Sequence, residues 1–181
     1  MGNVFYNELS KHYIHRDSER WWILDANGMQ INKLAKTVAH YIQGRHRPDF
    51  MQGHLMGDHV VVVNCKDVVM VGEEWIRVPI TWTTKYPSGK YDVRCSDMYD
   101  KDPCMLVWTF IRRDLIDRGW NAKADHLRHG HLEKAWLYAD HVHPHMEKDP
   151  RPVPWSDHNP TPQPWSSENV HSRWKPNSQM R

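Results

Sequence analysis

The sequence predicts an α/β fold: a three-layer α/β/α sandwich with a central parallel sheet of about four strands, and extended N- and C-terminal tails. Strand-like and helix-like apolar patterns alternate between residues 21 and 138, which favours crossover connections between parallel strands. The run from Val60 to Val63 is wholly β-branched, and such a run suits a strand that is covered on both faces. With 181 residues, the chain is long enough to bury a core of its own.

The first strand and the first helix have clear boundary signals. A strand is predicted at residues 21–24, where four apolar residues lead into a turn cluster at 25–28. A helix follows, with Asn32 as its N-terminal cap and Gly44 as its end. Its apolar positions recur at helical spacing and are Leu34, Val38, Tyr41 and Ile42.

The valine strand is preceded by Gly57-Asp58, which we interpret as a structural turn. The glycine relaxes the backbone, and the aspartate is expected to bind nearby backbone N–H groups. The next strand is predicted at residues 74–82, with Pro79 placing it near an edge or a bulge of the sheet.

The second half of the domain is predicted to be mainly helical. Asp102-Pro103 is typical of a helix start, and this helix is expected to end at Gly119. A weaker helix at 121–133 and a last strand at 135–138 complete the predicted domain.

Composition excludes several classes of protein. No apolar run approaches the roughly 20 residues that a membrane-spanning helix needs, so no membrane partner is expected. The three cysteines (Cys65, Cys95 and Cys104) are an odd number without close pairing, which argues against a disulfide framework. The formal net charge is only +2, so any binding of nucleic acid must depend on local clusters of cations.

The two ends differ from the middle, which predicts a division into residues 1–20, 21–150 and 151–181. Residues 1–20 mix acidic and basic side chains and match a cleaved mitochondrial presequence poorly. Residues 151–181 are rich in proline, serine and asparagine and carry Trp155, Trp165 and Trp174. We expect this tail to run extended over a partner protein through its tryptophans; a disordered tail is the alternative.

Basic residues concentrate beyond the first helix. Gly44-Arg45-His46-Arg47-Pro48 follows a helix that carries Lys33 and Lys36, and cations of this kind neutralise the phosphates of a nucleic acid. A charge run that is merely solvated is the alternative interpretation. Further basic groups are Lys85 and Lys90 around a Gly-containing loop, Arg112 with Arg113, and Arg128 with His129.

The histidines between His126 and His145 permit an alternative function, a zinc-dependent hydrolase. A catalytic zinc site needs three protein ligands and an open position, and His141 and His143 show a two-residue spacing that metal sites use. A bare His-x-His pattern is weak, and no serine or cysteine stands in a motif that would activate it. No metal or other cofactor is therefore expected.

Several short motifs of the sequence together resemble those of a known family. They are Trp21-Trp22-Ile23-Leu24-Asp25-Ala26, Lys33-Leu34-Ala35, Gln43-Gly44-Arg45-His46-Arg47-Pro48, Gly57-Asp58-His59-Val60-Val61-Val62-Val63-Asn64 and Val71-Gly72, with His143-Pro144-His145 between Tyr138 and Pro150. Over about residues 21–150 the chain resembles ribosomal protein thirteen of the large subunit.

The resemblance implies a structural constituent of the large ribosomal subunit rather than an enzyme. Its partners would be large-subunit ribosomal RNA and neighbouring ribosomal proteins, with no small-molecule substrate. Arg45 and Arg47 match the basic positions of a family loop that contacts ribosomal RNA, and the family's histidine signature carries no metal. The full set of expected RNA-binding residues is Lys33, Lys36, Arg45, His46, Arg47, Lys85, Lys90, Arg112, Arg113, Arg128, His129, His143 and His145.

Departures from the family pattern point to a divergent member. Where the family has Leu-Gly-Arg-Leu-Ala, this chain has Ile31-Asn32-Lys33-Leu34-Ala35, and Val71-Gly72-Glu73-Glu74 replaces a lysine-bearing loop. Asp114-Leu115-Ile116-Asp117 stands where a lysine-containing word is expected, and Met146-Glu147 replaces Ala-Gln. We expect a protein that binds less RNA and more protein than its bacterial relatives, in the mitochondrial ribosome, with a cytoplasmic ribosome as the alternative location.

Overall fold

The structure is a computed structural model that describes residues 20–51, 54–84, 86–117 and 125–154 of the chain. Its elements follow one another in the order β1 (Trp21–Asp25), α1 (Ile31–Ile42), β2 (His59–Val63), a 3-10 turn (Cys65–Asp67), α2 (Glu74–Arg77), β3 (Pro79–Thr83), β4 (Lys90–Arg94), α3 (Cys95–Lys101), α4 (Pro103–Asp117), α5 (Asp125–Leu132), β5 (Ala135–Leu137), a 3-10 helix (Pro144–Lys148) and β6 (Arg151–Pro152).

The main sheet has four strands in the order β5-β2-β1-β6, and every neighbouring pair is parallel. Trp21 lies beside His59 at the start of the central pair, and Asp25 lies beside Val63 at its end. The predicted α/β class and the four-stranded parallel sheet are confirmed.

One face of this sheet packs against the helices. Leu24, Val60 and Val62 belong to the same buried cluster as apolar residues of α1 and α4. On the opposite face, Trp21 contacts His145 of the 3-10 helix, with ring centroids 5.0 Å apart. Val61, whose register partner is Trp136, is also completely buried. Both faces of β2 are therefore covered, as its apolar sequence requires.

The predicted strand at residues 74–82 is wrong over its first half. The chain forms the single helical turn α2 there, which buries Trp75 completely. Strand β3 begins only at Pro79, because proline lacks an N–H group and disfavours helix at the residue before it. It pairs antiparallel with β4 in a second sheet of two strands, so it is not part of the main sheet.

The predicted last strand at residues 135–138 is not the last. Arg151–Pro152 forms β6 on the free side of β1, and the N–H of Val153 donates to the carbonyl of Ile23 at 3.1 Å. Proline is tolerated in an edge strand because the outward side of such a strand makes no hydrogen bonds to a neighbouring strand. The sheet thus extends past residue 150, the boundary that the sequence predicted for the domain; the division of the chain into three parts stays a prediction.

Helix boundaries were predicted more accurately. Helix α1 begins at Ile31 after Gln30, so Asn32 is not its cap. The Ile31 N–H instead donates to the Val69 carbonyl at 2.9 Å. The end at Gly44 is confirmed, since this glycine has a positive φ of 77°. No helix in the described ranges is long and apolar enough to span a membrane.

Candidate nucleic-acid interface

The outer face of α1 carries two exposed cations. Its apolar residues recur so that Leu34, Val38 and Ile42 face the core, while Lys33 and Lys36 project from the opposite side. Residues three positions apart lie on the same face of a helix, so the two ammonium groups are neighbours. The twelve residues of α1 include no acidic side chain that would neutralise them.

Arg113 of α4 joins these two lysines. Its guanidinium donates to the side-chain oxygen of Asn32 at 3.1 Å, one residue from Lys33, and lies 4.3 Å from the centre of the Phe110 ring. Arg112 is half-buried, with its guanidinium 5.9 Å from the Trp108 ring centre. We call Lys33, Lys36 and Arg113 the α1–α4 basic face.

The predicted basic loop is organised around a buried carboxylate. Asp58 has no exposed side-chain surface, and both His46 and Arg47 contact it. His46 Nε2 donates to Oδ2 at 2.8 Å, and Arg47 forms an ion pair with Oδ1. The indole of Trp22 donates to Oδ2 at 3.0 Å, and the backbone N–H of Arg20 donates to Oδ1 at 3.2 Å. We call this set of contacts the Asp58 network.

The Asp58 network holds its carboxylate ionised. Burial by itself raises the pKa of Asp58, but hydrogen bonds from His46, Trp22, Arg47 and the Arg20 backbone outweigh it and lower the pKa to about 2. The expectation that Asp58 binds backbone N–H groups is therefore confirmed for Arg20 but incomplete, because its other three donors are side chains.

Two further polar contacts fix the ends of this loop. His131 Nδ1 donates to the carbonyl of Ile42 at 2.9 Å, and the ammonium of Lys134 donates to the carbonyl of Gly57 at 2.7 Å. Burial lowers the pKa of His131 to about 4, with smaller contributions from the charges of Lys134 and Arg45. His131 is therefore neutral at physiological pH, and its single ring N–H donates to the carbonyl of Ile42.

These contacts tie the loop to the core, and the cations of the loop are only partly exposed. The side chains of His46 and Arg47 are 12% and 11% exposed. Arg45 is half-buried, with its guanidinium 5.8 Å from the centre of the Phe50 ring. His46 and Arg47 thus connect the loop through Asp58 to the residues that begin β1 and β2.

The other predicted residues are spread over the molecule. Lys90 is exposed on β4, and His129 is exposed on α5. His143 is buried, and His145 Nε2 shares a hydrogen bond of 2.8 Å with the hydroxyl of Tyr138. Outside the described residues or side chains lie Lys85, Arg128, Trp155, Trp165 and Trp174.

The histidines that the structure describes are not gathered into a metal site. In the part of the chain that the structure describes, no group of three histidine, cysteine, aspartate or glutamate residues is placed to hold a metal ion. His131 binds a backbone carbonyl, while His145 packs against the Trp136 ring at 4.5 Å. The hydrolase alternative has no support in this arrangement.

Sequence reasoning missed an aromatic cluster on the second face of the sheet. The ring centroids of Trp21 and His59 are stacked 4.3 Å apart, Trp21 also contacts Trp136 and His145, and the Trp136 indole donates to His59 Nδ1 at 3.4 Å. The available signal was the register of the strands, since Trp21 and His59 each open a strand and parallel neighbours put both rings on one face.

Comparison with known proteins identifies the family. The family model described as "Ribosomal protein L13" matches residues 19–144. A large ribosomal subunit protein uL13 from Thermotoga petrophila is 30% identical over 134 residues, which are 74% of this chain and 85% of the relative. The uL13 of Aquifex aeolicus is 26% identical over 74% of this chain and 88% of its own length, and that of Bordetella pertussis is 27% identical over 78% and 93%. The chain therefore belongs to the ribosomal protein L13 family, whose members are structural proteins and not enzymes.

Proposed function

We propose that this chain is a structural constituent of the large ribosomal subunit that binds ribosomal RNA through the α1–α4 basic face and contacts neighbouring ribosomal proteins. The observation that carries the proposal is the convergence of Lys33, Lys36 and Arg113, exposed and held on two packed helices. The relatives that match most of this chain are named as large-subunit proteins.

The position of these cations favours an anionic partner. Lys33 lies in the first turn of α1 and Lys36 in the second, near the end of the helix where the backbone dipole is positive. Cations there are unfavourable for the helix itself, whereas a phosphate is favourable. A phosphate backbone that runs across this surface relieves the repulsion and gains three cationic contacts.

The predicted loop contact is retained in a narrower form. We propose that Arg45 reaches RNA from a loop whose shape is held by His46 and Arg47 through Asp58. Lys90, Arg112 and His129 remain proposed secondary contacts, since each has at least part of its side chain exposed.

The proposed setting is the mitochondrial ribosome. Its support is the low net charge of +2, together with the acidic residues that stand where the family resemblance led us to expect lysines. Fewer cations imply fewer phosphate contacts and a larger share of contacts with protein. Sedimentation of separated mitochondrial and cytosolic extracts tests the location: the chain is expected with the mitochondrial large subunit, and its presence only in cytosolic ribosomes would refute this setting.

A triple variant tests the RNA contact. Lys33→Glu with Lys36→Glu and Arg113→Glu should reduce incorporation into the large subunit, and binding of the purified chain to large-subunit ribosomal RNA should lose about 2 to 3 units of its logarithmic salt slope. The matched control is Arg94→Glu with Lys101→Glu and Lys148→Glu, three exposed cations elsewhere on the molecule. Equal salt slopes and equal incorporation for the triple variant and the control would refute the proposal.

A further inference from the structure

Two cysteines that are far apart in sequence meet where the 3-10 turn after β2 packs against α4. Cys65 begins this turn, and Cys104 is the second residue of α4. Cys65 belongs to the buried core cluster, Cys104 packs against that cluster, and their two thiols share a hydrogen bond. The third cysteine has a different partner, since the Cys95 thiol donates to the carbonyl of Val78 at 3.2 Å.

Backbone hydrogen bonds position both members of this pair. The N–H of Cys65 donates to the carbonyl of Tyr138 at 3.1 Å, which ties the 3-10 turn to the chain that follows β5. The N–H of Cys104 donates to Oδ1 of Asp102 at 2.9 Å, at the start of α4. The contact between the two thiols therefore follows from the way the turn and the helix are held.

The two thiols differ in access and in acidity. Cys65 has no exposed surface, whereas Cys104 is half-buried. The shared hydrogen bond lowers the pKa of the Cys104 thiol, against the opposing effects of burial and of the charges of Asp102 and Asp140. The same hydrogen bond, together with burial, raises the pKa of Cys65. Cys104 also lies in the first turn of a fifteen-residue helix, where the positive end of the dipole favours a thiolate. An oxidant therefore meets Cys104 first.

We propose that Cys104 and Cys65 form a peroxide-sensitive dithiol, in which hydrogen peroxide oxidises Cys104 and Cys65 then completes a disulfide. In the first step the Cys104 thiolate attacks one peroxide oxygen, so that an S–O bond forms and the O–O bond breaks. The hydroxide that leaves takes a proton from solvent. In the second step the Cys65 sulfur attacks the Cys104 sulfur, so that the S–S bond forms and the S–O bond breaks. The leaving hydroxide takes the Cys65 proton, and peroxide has become two molecules of water.

The arrangement favours the second step over further oxidation of Cys104. A disulfide places its sulfur atoms about 2 Å apart, so two thiols that already share a hydrogen bond need only a short approach. The negative charge and the hydrogen bond of Cys104 help to hold the proton on Cys65. Conversion of Cys104 to a sulfenic acid removes that charge, and the Cys65 proton becomes easier to lose.

The disulfide links the turn after β2 to the start of α4. The loop that it closes contains α2, the β3–β4 hairpin and α3. A crosslink of this kind restricts the unfolded chain more than the folded one. The oxidised protein is therefore expected to resist unfolding better than the reduced protein.

Mass spectrometry of the purified full chain, incubated at neutral pH with hydrogen peroxide, tests the proposal. A non-reducing digest should contain a peptide that links Cys65 to Cys104 and that dithiothreitol removes, while Cys95 stays available for alkylation after denaturation. The urea midpoint of the oxidised chain should exceed that of the reduced chain by roughly 1 M. Absence of the linked peptide, or linkage through Cys95 to the same extent, would overturn the proposal.

Three single variants separate the two steps. In Cys65→Ala the sulfenic acid of Cys104 should persist and be captured by dimedone, whereas Cys104→Ala should give neither this adduct nor a linked peptide. Cys95→Ala is the matched control, since it removes another buried thiol and should retain the linkage. Circular dichroism establishes that each variant is folded, and the result with the unchanged sequence decides the matter if Cys65→Ala is not. A dimedone adduct on Cys65 in the Cys104→Ala variant would refute the proposed order of attack.

Discussion

At the scale of single residues, the buried carboxylate of Asp58 binds charged neighbours that thereby stabilise the fold. Removing a carboxylate from water is costly unless it is paired and hydrogen-bonded, and Asp58 has an ion pair with Arg47 and hydrogen bonds from His46, Trp22 and the Arg20 N–H. Asp58 in turn supplies a counter-ion for the nearly buried guanidinium of Arg47. The sequence predicted the basic loop but not this network, because Asp58 lies eleven or more residues from every side chain that contacts it.

Replacing Asp58 by asparagine should destabilise the protein by about 3 kcal/mol. The amide keeps the shape but removes the negative charge that pairs with the Arg47 guanidinium at this position and turns an N–H₂ group toward donors. Urea unfolding at pH 7 measures the change, with Asp92→Asn as the exposed control, for which less than about 0.5 kcal/mol is expected. Equal stability of the two variants would contradict the structural importance of the network.

At the scale of elements, local periodicity predicted the helices and strands that depend on their own residues. It failed for those that form through contacts with distant parts of the chain. The apolar spacing of α1 follows from its own residues, so its exposed lysines were also predictable. Helix α2 forms because Trp75 finds a fully buried site, and β6 forms because β1 has a free edge; neither reason is visible within the segment itself. The contact of Arg113 with Asn32 likewise depends on the packing of α4 against α1, which pattern reasoning does not supply.

The junction between α1 and β2 depends on the absence of a side chain at Gly57. A Cβ atom placed there would lie 1.7 Å from the carbonyl oxygen of Ile42, which is backbone and cannot move independently. Gly57→Ala should therefore cost about 3 kcal/mol or more, since relief requires the helix end to shift. The control is Gly28→Ala, where nothing lies within 4 Å and only the positive φ is unfavourable, at about 1 kcal/mol. Thermal and urea unfolding compare the two variants, and a smaller loss at position 57 than at 28 would show that the junction adapts.

At the scale of the whole molecule, stability should fall in acid in two stages. His131 has a folded pKa of about 4, below its ordinary value of 6.5, so the unfolded chain binds more protons between these limits and stability decreases as pH falls through them. Asp58 has a folded pKa of about 2, below its ordinary 3.8, so its contribution is present above pH 4 and is lost as pH falls toward 2. The free energy of unfolding should fall by at most about 3 kcal/mol in the His131 stage and by at most about 2 kcal/mol in the Asp58 stage.

Urea unfolding between pH 7 and pH 3 measures the first stage. His131→Gln, which keeps a hydrogen-bond donor but does not titrate, should weaken the dependence of unfolding free energy on pH between 6.5 and 4, and the part that remains includes His145, whose pKa burial also lowers. His129→Gln, at an exposed position of the same helix, is the control and should retain the slope of the unchanged protein. A slope in His131→Gln equal to that of the unchanged protein would assign the acid sensitivity to other groups.

The strand order also determines when the four-stranded sheet can be completed during synthesis of the chain. Strand β1 lies between β2 and β6, and β6 is the strand farthest from it in sequence. While the chain is being synthesised at 5–20 residues per second, one edge of β1 therefore stays open for roughly 10 s after β1 itself has emerged. Until β6 arrives, that edge offers unpaired backbone groups to any passing strand. The shortest strand of the fold, two residues long, is thus the one that covers this edge of β1.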